Sequence, residues 1–462
     1  MKKFWSIFLA LMLCLSVCVG LVGCNFQTDV PSDDNKVDDE KNTNAEVNLS
    51  VGILQGTYER YIMLKWKNAF QKLHPEVSIE ITAQFGEMAY IKQLDSGNQI
   101  PDIMWTAGDQ HSPYSKDYFI DLREMDGATE FFSDFYDTLI DSTHYSTNDK
   151  GIWFVPRDYN ALVVYYNETL FEEAGVDLPQ QGWTWDDFIA TCEALMSSGK
   201  VLKAVEYDMA WPPFIQTMMA HFGSEYFNDD GTIALDSAET QECFNYLREF
   251  NDKYAIQGTS AGFSGYTANG GKNIGMFIDV RPSLPELAEK AAASNWKMNV
   301  VSFPNFQEKD AQGSVVSQGY VGVGCSGYAI TQKCASDTTL YAGKTKQEWA
   351  WEFLKYCMSE AGYEEAATQG VLVPALKSLA GKGVWRDYAV NGVKVNADAF
   401  IRTDATPIFL NYYNIQNPSF HADIISAAGI FWGNAKGASA DAYTPSINFY
   451  LTYMKDKTGI TK

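Results

Sequence analysis

The chain has 462 residues, 35 of them Lys or Arg and 58 Asp or Glu, for a formal net charge of −23. So negative a surface repels phosphate backbones, which excludes nucleic acid as a partner, and serves solubility rather than recognition. With 46% hydrophobic residues, a chain this long exceeds one ordinary core, and two domains are expected.

Lys2 and Lys3 open the chain, and Phe4 to Leu21 is an apolar run broken only by small or hydroxyl residues. A short apolar core ending in small residues reads as a cleavable secretory signal over residues 1–23. The run is marginal for a spanning helix, and Gly20 and Gly23 sit at its end. Leu21-Val22-Gly23-Cys24 resembles the lipobox of bacterial lipoproteins, which implies diacylglycerol on the Cys24 sulfur. Buried methylenes contribute about 0.8 kcal/mol each, so two acyl chains hold a protein at a membrane without a span. The competing reading is a plain signal peptide or anchor with Cys24 incidental. Residues 24–45 follow, with Asp29, Asp33, Asp34, Asp38, Asp39 and Glu40 among Pro, Ser and Asn. Too few apolar side chains remain there to offset the entropy of ordering, so this stretch reads as a flexible tether.

Residues 46–54 then read as a buried strand, and Gln55-Gly56-Thr57 as a turn. Ile62, Trp66, Ala69, Phe70 and Leu73 share one helical face, and His74-Pro75 ends that helix. Val77, Ile79 and Ile81 alternate as a second strand. Residues 87–95 read as helix and 102–105 as a short strand. This β-α-β-α-β order predicts an α/β domain with a largely parallel sheet. Ligands gather outside the carboxyl ends of such strands, which puts Gln55 to Tyr58 and Trp105 to Asp109 on one rim. Ala161 to Tyr166 reads as strand. Thr184 caps a helix over 186–196, and Cys243, Leu247, Phe250 and Tyr254 recur at helical spacing. Residues 297–303 read as strand, Trp349 to Cys357 as amphipathic helix, and the aromatic tail 385–462 as mainly helical.

Five cysteines lie beyond residue 24: Cys192, Cys243, Cys325, Cys334 and Cys357. An odd number at wide spacing is a poor disulfide framework, so buried thiols are expected, with a Cys325–Cys334 bridge left open. There is no CxxC pair or metal-type spacing, and neither metal nor cofactor is expected. Gly322, Gly324 and Gly327 match GxGxxG formally, but Tyr328-Ala329-Ile330-Thr331 reads as strand where a dinucleotide site needs a helix. The five histidines are scattered, and there is no GxSxG elbow or Walker loop.

Four stretches together resemble the extracellular solute-binding proteins of ABC importers, the cluster that includes maltodextrin-binding protein. They are Pro101-Asp102-Ile103 with Tyr114 and Phe119-Ile120-Asp121-Leu122; Gly151 to Pro156 with Tyr165-Tyr166-Asn167, Leu170-Phe171 and Ala174-Gly175; Pro179 with Trp183-Thr184-Trp185-Asp186-Asp187-Phe188; and Gly271-Lys272, Gly275-Met276, Trp351-Glu352-Phe353 and Val373-Pro374-Ala375. They run in family order over nearly all of residues 46–376. The resemblance implies a periplasmic-binding-protein-like α/β fold with two discontinuous lobes, 46–158 plus 304–358 and 159–303 plus 359–462. Two or three hinge crossings would join the lobes, and a solute would bind in the cleft. It further implies a monomeric receptor that delivers its solute, a carbohydrate, to an ABC permease. The lipid on Cys24 would hold it on the outer face of a bacterial cell membrane lacking a periplasm.

Sugar recognition needs flat aromatic faces for ring C–H groups and planar polar groups for paired hydroxyls. The 26 Tyr and 12 Trp supply aromatic faces in surplus. Trp105 and Asp109 follow the Pro101-Asp102-Ile103 strand, where the family places an aromatic and an acid; core packing is the alternative for Trp105. Arg157, Asp158, Tyr159 and Asn160 fall where the chain crosses between lobes. They either bind the solute, as the family does near Asn160, or form an Arg157–Asp158 ion pair at the hinge. Asp208, Trp211 and Phe214 lie in a loop that aligns with a stacking loop of the family. Asp279 and Arg281 follow Gly275-Met276, where the family's usual Trp is replaced by Val280-Arg281-Pro282. Arg281 could therefore grip hydroxyls or an acidic group. Gln55, Tyr58, Gln318 and Tyr320 are further candidates, and Tyr412, Tyr413 and Asn414 fit core packing better. Two other function classes stay open: a surface glycoside hydrolase, which needs paired carboxylates about 5–10 Å apart, and a surface sensor on the same lobes.

Overall fold

The computed structural model describes residues 37–85, 100–108, 111, 115–144, 150–208, 211–225, 234, 237–257, 264–367, 370–408 and 452. The first sheet is built from β1 (Val47–Leu54), β2 (Val77–Phe85), β3 (Ile103–Ala107), β4 (Val155–Pro156) and β14 (Ser326–Ile330), in the order β2-β1-β3-β14-β4. β1 pairs in parallel with β2 and β3, while β14 runs antiparallel to both β3 and β4. The sheet is therefore mixed, not largely parallel as expected. Its return strand comes from far down the chain, which local patterning cannot show.

Helix α1 (Thr57–Leu73) covers this sheet. Ile62, Trp66 and Phe70 recur on its inner face and are fully enclosed, each side chain contributing roughly 1.5–3 kcal/mol. Trp66 Nε1 donates to Gly362 O at 2.9 Å, so Glu360–Ala367, which the sequence reading places with the second lobe, packs on α1. The helix ends at His74 as Pro75 dictates. Asp102 of the Pro101-Asp102-Ile103 motif is buried and accepts from the Ser50 amide at 2.8 Å and hydroxyl at 2.6 Å. Lys346 Nζ lies 2.9 Å from it. Residues 39–45, read from the sequence as tether, lie along α1. Asp39 pairs with Lys67 and Arg60, and Asn42 Nδ2 donates to Pro75 O at 2.6 Å and Val77 O at 2.9 Å.

The second sheet holds β6 (Val163–Asn167), β7 (Lys203–Tyr207), β8 (Ala255–Gln257), β9 (Ile274–Asp279) and β10 (Met298–Ser302), in the order β10-β6-β9-β7-β8. It too is mixed. Helices α2 (Trp185–Ser197), α3 (Pro212–His221), α4 (Ala238–Tyr254) and α5 (Leu284–Ala293) follow these strands. The Trp183-Thr184-Trp185-Asp186-Asp187-Phe188 motif turns out to build a helix start. Thr184 and Asp187 form a capping box. Trp183 Nε1 donates to Ser302 O at 2.8 Å, and Trp185 stacks on Phe306 at 4.7 Å.

A third sheet, β17-β13-β5, is made of β5 (Asn160–Ala161), β13 (Tyr320–Gly324) and β17 (Thr406–Ile408). Two hairpins, β11 (Glu308–Lys309) with β12 (Val315–Ser317) and β15 (Ala389–Val390) with β16 (Val393–Lys394), complete the strands among the described residues. Tyr328-Ala329-Ile330 is strand, as the rejected GxGxxG reading required. A side chain at Gly327 would collide with the Val155 carbonyl of β4 and one at Gly322 with the Pro213 carbonyl of helix Pro212–His221, so close approach of a neighbouring backbone explains these glycines. Residues 385–408 of the tail have 3-10 turns and short strands instead of the expected helix; residue 452 is helical, and the rest of the tail lies outside the described residues. Asn391 with φ 48° and Gly392 with φ 79° make a tight hairpin turn there. All five described cysteines are buried thiols, and Cys325 and Cys334 are not bridged. Among the described residues, no helix is long and apolar enough to cross a membrane.

Candidate functional site

Three segments run side by side where the chain passes between the two large sheets. Arg157 N–H donates to Ser326 O at 2.8 Å, Leu162 N–H to Gly322 O at 3.0 Å, and Tyr159 N–H to Val373 O at 3.0 Å. Residues 156–162, 320–326 and 371–375 thus form a laced junction. Its charges are internal. Asp158 Oδ2 accepts from Arg157 Nε at 3.1 Å and Nη2 at 2.7 Å, and its Oδ1 accepts from Ser326 N–H at 3.0 Å. Arg157 also pairs with Glu59 from the first turn of α1. Burial works against the guanidinium charge, but Glu59 and Asp158 outweigh it and hold Arg157 protonated. The Tyr363 hydroxyl donates to Arg157 O and accepts from Ala375 N–H at 3.0 Å. The structure thus places Arg157 and Asp158 as an ion pair inside the junction.

Asn160 stands on the same junction, opposite Gly324 of β13. It is 8% exposed, and among the described residues its Oδ1 has no hydrogen-bond partner. An enclosed acceptor left unpaired costs about 1–3 kcal/mol, so Asn160 Oδ1 suits an incoming donor. Tyr159 is turned inward, its hydroxyl donating to Arg402 O at 2.7 Å.

The second sheet presents Asp208 just beyond the carboxyl end of β7 and Asp279 as the last residue of its parallel neighbour β9. Asp279 accepts from Val280 N–H and Ser283 Oγ, both at 2.7 Å. Burial pushes its carboxyl up to about 6, with Asp208 adding to the shift and the two hydrogen bonds opposing it. Trp211 is half-buried at the start of α3, its amide donating to Asp208 O at 3.3 Å. Phe214 is core, against Tyr207 at 4.5 Å.

Arg281 follows Asp279 but is wholly enclosed. Nε donates to Gly370 O at 2.6 Å and Nη2 to Trp385 O at 2.9 Å. Its guanidinium lies over the rings of Phe400 at 4.6 Å, Trp385 at 5.5 Å and Tyr388 at 5.9 Å. Burial brings it down to about 10.

On the first sheet, Trp105 pairs across from Tyr328 in the core and is 3% exposed. Gln55 is exposed on the loop after β1. Tyr58 is half-buried, and its hydroxyl donates to Glu289 Oε1 at 2.5 Å. Gln318 accepts from Gln307 Nε2 at 3.2 Å, and Tyr320 starts β13. Asp109, Tyr412, Tyr413, Asn414 and Cys24 lie outside the described residues. Sequence reasoning missed Glu59, Glu289 and Arg402. Each looks like an ordinary surface charge, and its partner is far along the chain. Among the described residues no group of three or more His, Cys, Asp or Glu could hold a metal ion.

Residues 55–364 match the bacterial extracellular solute-binding protein family. The chain belongs to that family. Its members are non-enzymatic receptors, and the α/β architecture described above is theirs. The arabinooligosaccharide-binding protein of Halalkalibacterium halodurans is 34% identical over 100 residues, 21% of this solute-binding protein and 22% of the relative. The match thus spans about a fifth of that relative's length. The fold is similar to that of the ABC substrate-binding protein Lmo0181 from Listeria monocytogenes, solved with cycloalternan. That pair has a TM-score of 0.63 at 16% identity over 88% of this chain and 98% of the other. A cyclo/maltodextrin-binding protein complexed with maltotetraose gives 0.64 at 15% identity over 92% and 100%. UgpB from Mycobacterium tuberculosis, in complex with glycerophosphocholine, gives 0.64 at 15% identity over 89% and 99%. At these identities the likeness speaks for the fold alone.

Proposed function

We propose that this protein is a lipid-anchored carbohydrate receptor that passes a sugar or oligosaccharide to an ABC importer by hinge closure. The observation that carries the reading is the junction: three laced segments join two separate mixed sheets, with Asn160 Oδ1 enclosed at the crossing and, among the described residues, unpaired. In this reading the sheets are the hearts of two lobes, near 46–158 plus 304–358 and 159–303 plus 359–462, and the solute sits between them. Trp211 stacks on a sugar face. Asp208, Asp279 and Asn160 accept from hydroxyls, with Gln55 on the opposite rim. The similarity to an arabinooligosaccharide-binding protein supports a saccharide over the glycerophosphocholine that the same fold holds in UgpB. Leu21-Val22-Gly23-Cys24 supports lipid attachment at the outer face of the membrane, where a permease partner would sit.

A thermal-shift screen of the Asn25–Lys462 form against arabinooligosaccharides, maltodextrins and glycerophosphocholine tests this. A ligand that binds only the folded state raises the melting point. A saccharide shift that Trp211→Ala abolishes, in a protein that still folds, is the expected result. A shift with glycerophosphocholine alone, or release of shorter sugars from the oligosaccharides, overturns the reading.

A further inference from the structure

Helices α1 and α5 serve different sheets. α1 packs on β1 and β2, whereas α5 packs on Ser264–Gly271 and β15 on the side of the second sheet. One hydrogen bond nevertheless joins them, from the Tyr58 hydroxyl to Glu289 Oε1 at 2.5 Å. Its donor is neutral and its acceptor a carboxylate, a pairing stronger than one between neutral groups. Burial, then the Glu289 bond and the nearby Tyr388 and Glu286, keep the Tyr58 phenol protonated. The next residue, Glu59, pairs with Arg157 in the junction. Two consecutive residues of one helical turn therefore reach two different places: Tyr58 the far helix, Glu59 the hinge. Gln55 and Gly56, the end of the loop after β1, lead directly into that turn.

We infer that Tyr58 and Glu289 form an interlobe latch, in which Tyr58 governs opening of the cleft through Glu289 instead of by touching the solute. The inference rests on the two-lobed receptor reading above. Parting the sheets carries α5 away from α1 and breaks the bond. Closing them restores it, so the latch favours the closed state and slows escape of a bound solute. A contact made only in the closed state raises affinity by that preference and no more. Because Glu59 ties the same turn to Arg157, movement at the junction is transmitted to the latch by a rigid helix end.

The test compares Tyr58→Phe, Glu289→Ala and the double variant in the Asn25–Lys462 form. Without ligand, small-angle scattering should show each single variant expanded, and the double variant no more than either. Dissociation of maltotetraose or of an arabinooligosaccharide mixture should be roughly five- to ten-fold faster in all three, the scale of one hydrogen bond. Association rates and melting points should stay near wild type, which separates a latch from damage to the fold. Additive effects, an effect of Tyr58→Phe without one of Glu289→Ala, or no change in either variant overturns the latch. If the wild type binds neither saccharide, the sugar reading fails, while scattering of the ligand-free variants still decides the latch.

Discussion

Arg281 illustrates how a residue's neighbours decide its role. In sequence it follows Gly275-Met276 and Asp279 and invites a reading as a grip for hydroxyls or an acidic group on the solute. In the structure its guanidinium is walled by Phe400, Trp385 and Tyr388 and donates to two carbonyls, which fastens residues 370–400 to the end of β9. Nothing local announces this, because the aromatic wall is over 100 residues away in sequence. Arg281→Ala should lower unfolding free energy by about 3 kcal/mol in denaturant titration, through orphaned carbonyls and a lost charged hydrogen bond. Saccharide affinity of the folded protein should hold; lost affinity at unchanged stability would return Arg281 to the site.

Asp279 is the opposite case: the sequence offers it only as a residue after Gly275-Met276, and the structure sets it at the end of β9. Its folded value near 6 lies above the ordinary 3.8. Its contribution to stability is therefore present below pH 4, declines as pH rises towards 6, and is flat above. His221 and His111, held by burial near 4 and 3, run the other way and lose stability as pH falls below 6.5. The difference between wild type and Asp279→Asn isolates the carboxyl. Solute hydroxyls donate to the ionised form, so affinity should strengthen as pH climbs through 6 and lose that slope in Asp279→Asn. A slope that survives the substitution would remove Asp279 from the binding surface.

At the scale of elements, what was legible was whatever is local and periodic. The first strand, α1, the capped α2 and the strand Met298–Ser302 fall within a residue or two of expectation, and the second strand begins at Val77 as read but runs on to Phe85, because apolar spacing and caps determine starts better than ends. The antiparallel return of β14 was not legible, since pairing over 200 residues leaves no local mark. Residues 385–408 failed differently: the tail's aromatics suggested a helix, but over this stretch Asn391-Gly392 and the lack of helical spacing gave turns. Residues 39–45 show tertiary contacts overriding composition. Lys67 is 3% exposed and needs the Asp39 carboxylate, which Lys67 in turn holds below its usual range. A form starting at Glu46 should therefore melt below one starting at Asp38, and Asp39→Asn should lose about 1–2 kcal/mol. Equal melting of both forms would mean the segment is not part of the folded body.

For the molecule as a whole, the family resemblance made two lobes and a hinge expected, but how the chain builds the junction between the two large sheets had to be seen. Pro156 and the residues after it mark the crossing in sequence. The partners Ser326, Val373, Tyr363 and Glu59 come from four distant places. A junction laced this tightly, with its ion pair enclosed, suits a pivot about which rigid bodies turn, because packed interfaces have discrete arrangements instead of deforming smoothly. The central claim is that these bodies close on a saccharide and release it unchanged. Small-angle scattering of the Asn25–Lys462 form, titrated with the saccharide that gives the largest thermal shift, tests it most directly. The account predicts a radius of gyration that falls to a plateau at the binding stoichiometry and returns when the sugar is dialysed away intact. A radius that stays constant while the site fills would contradict it.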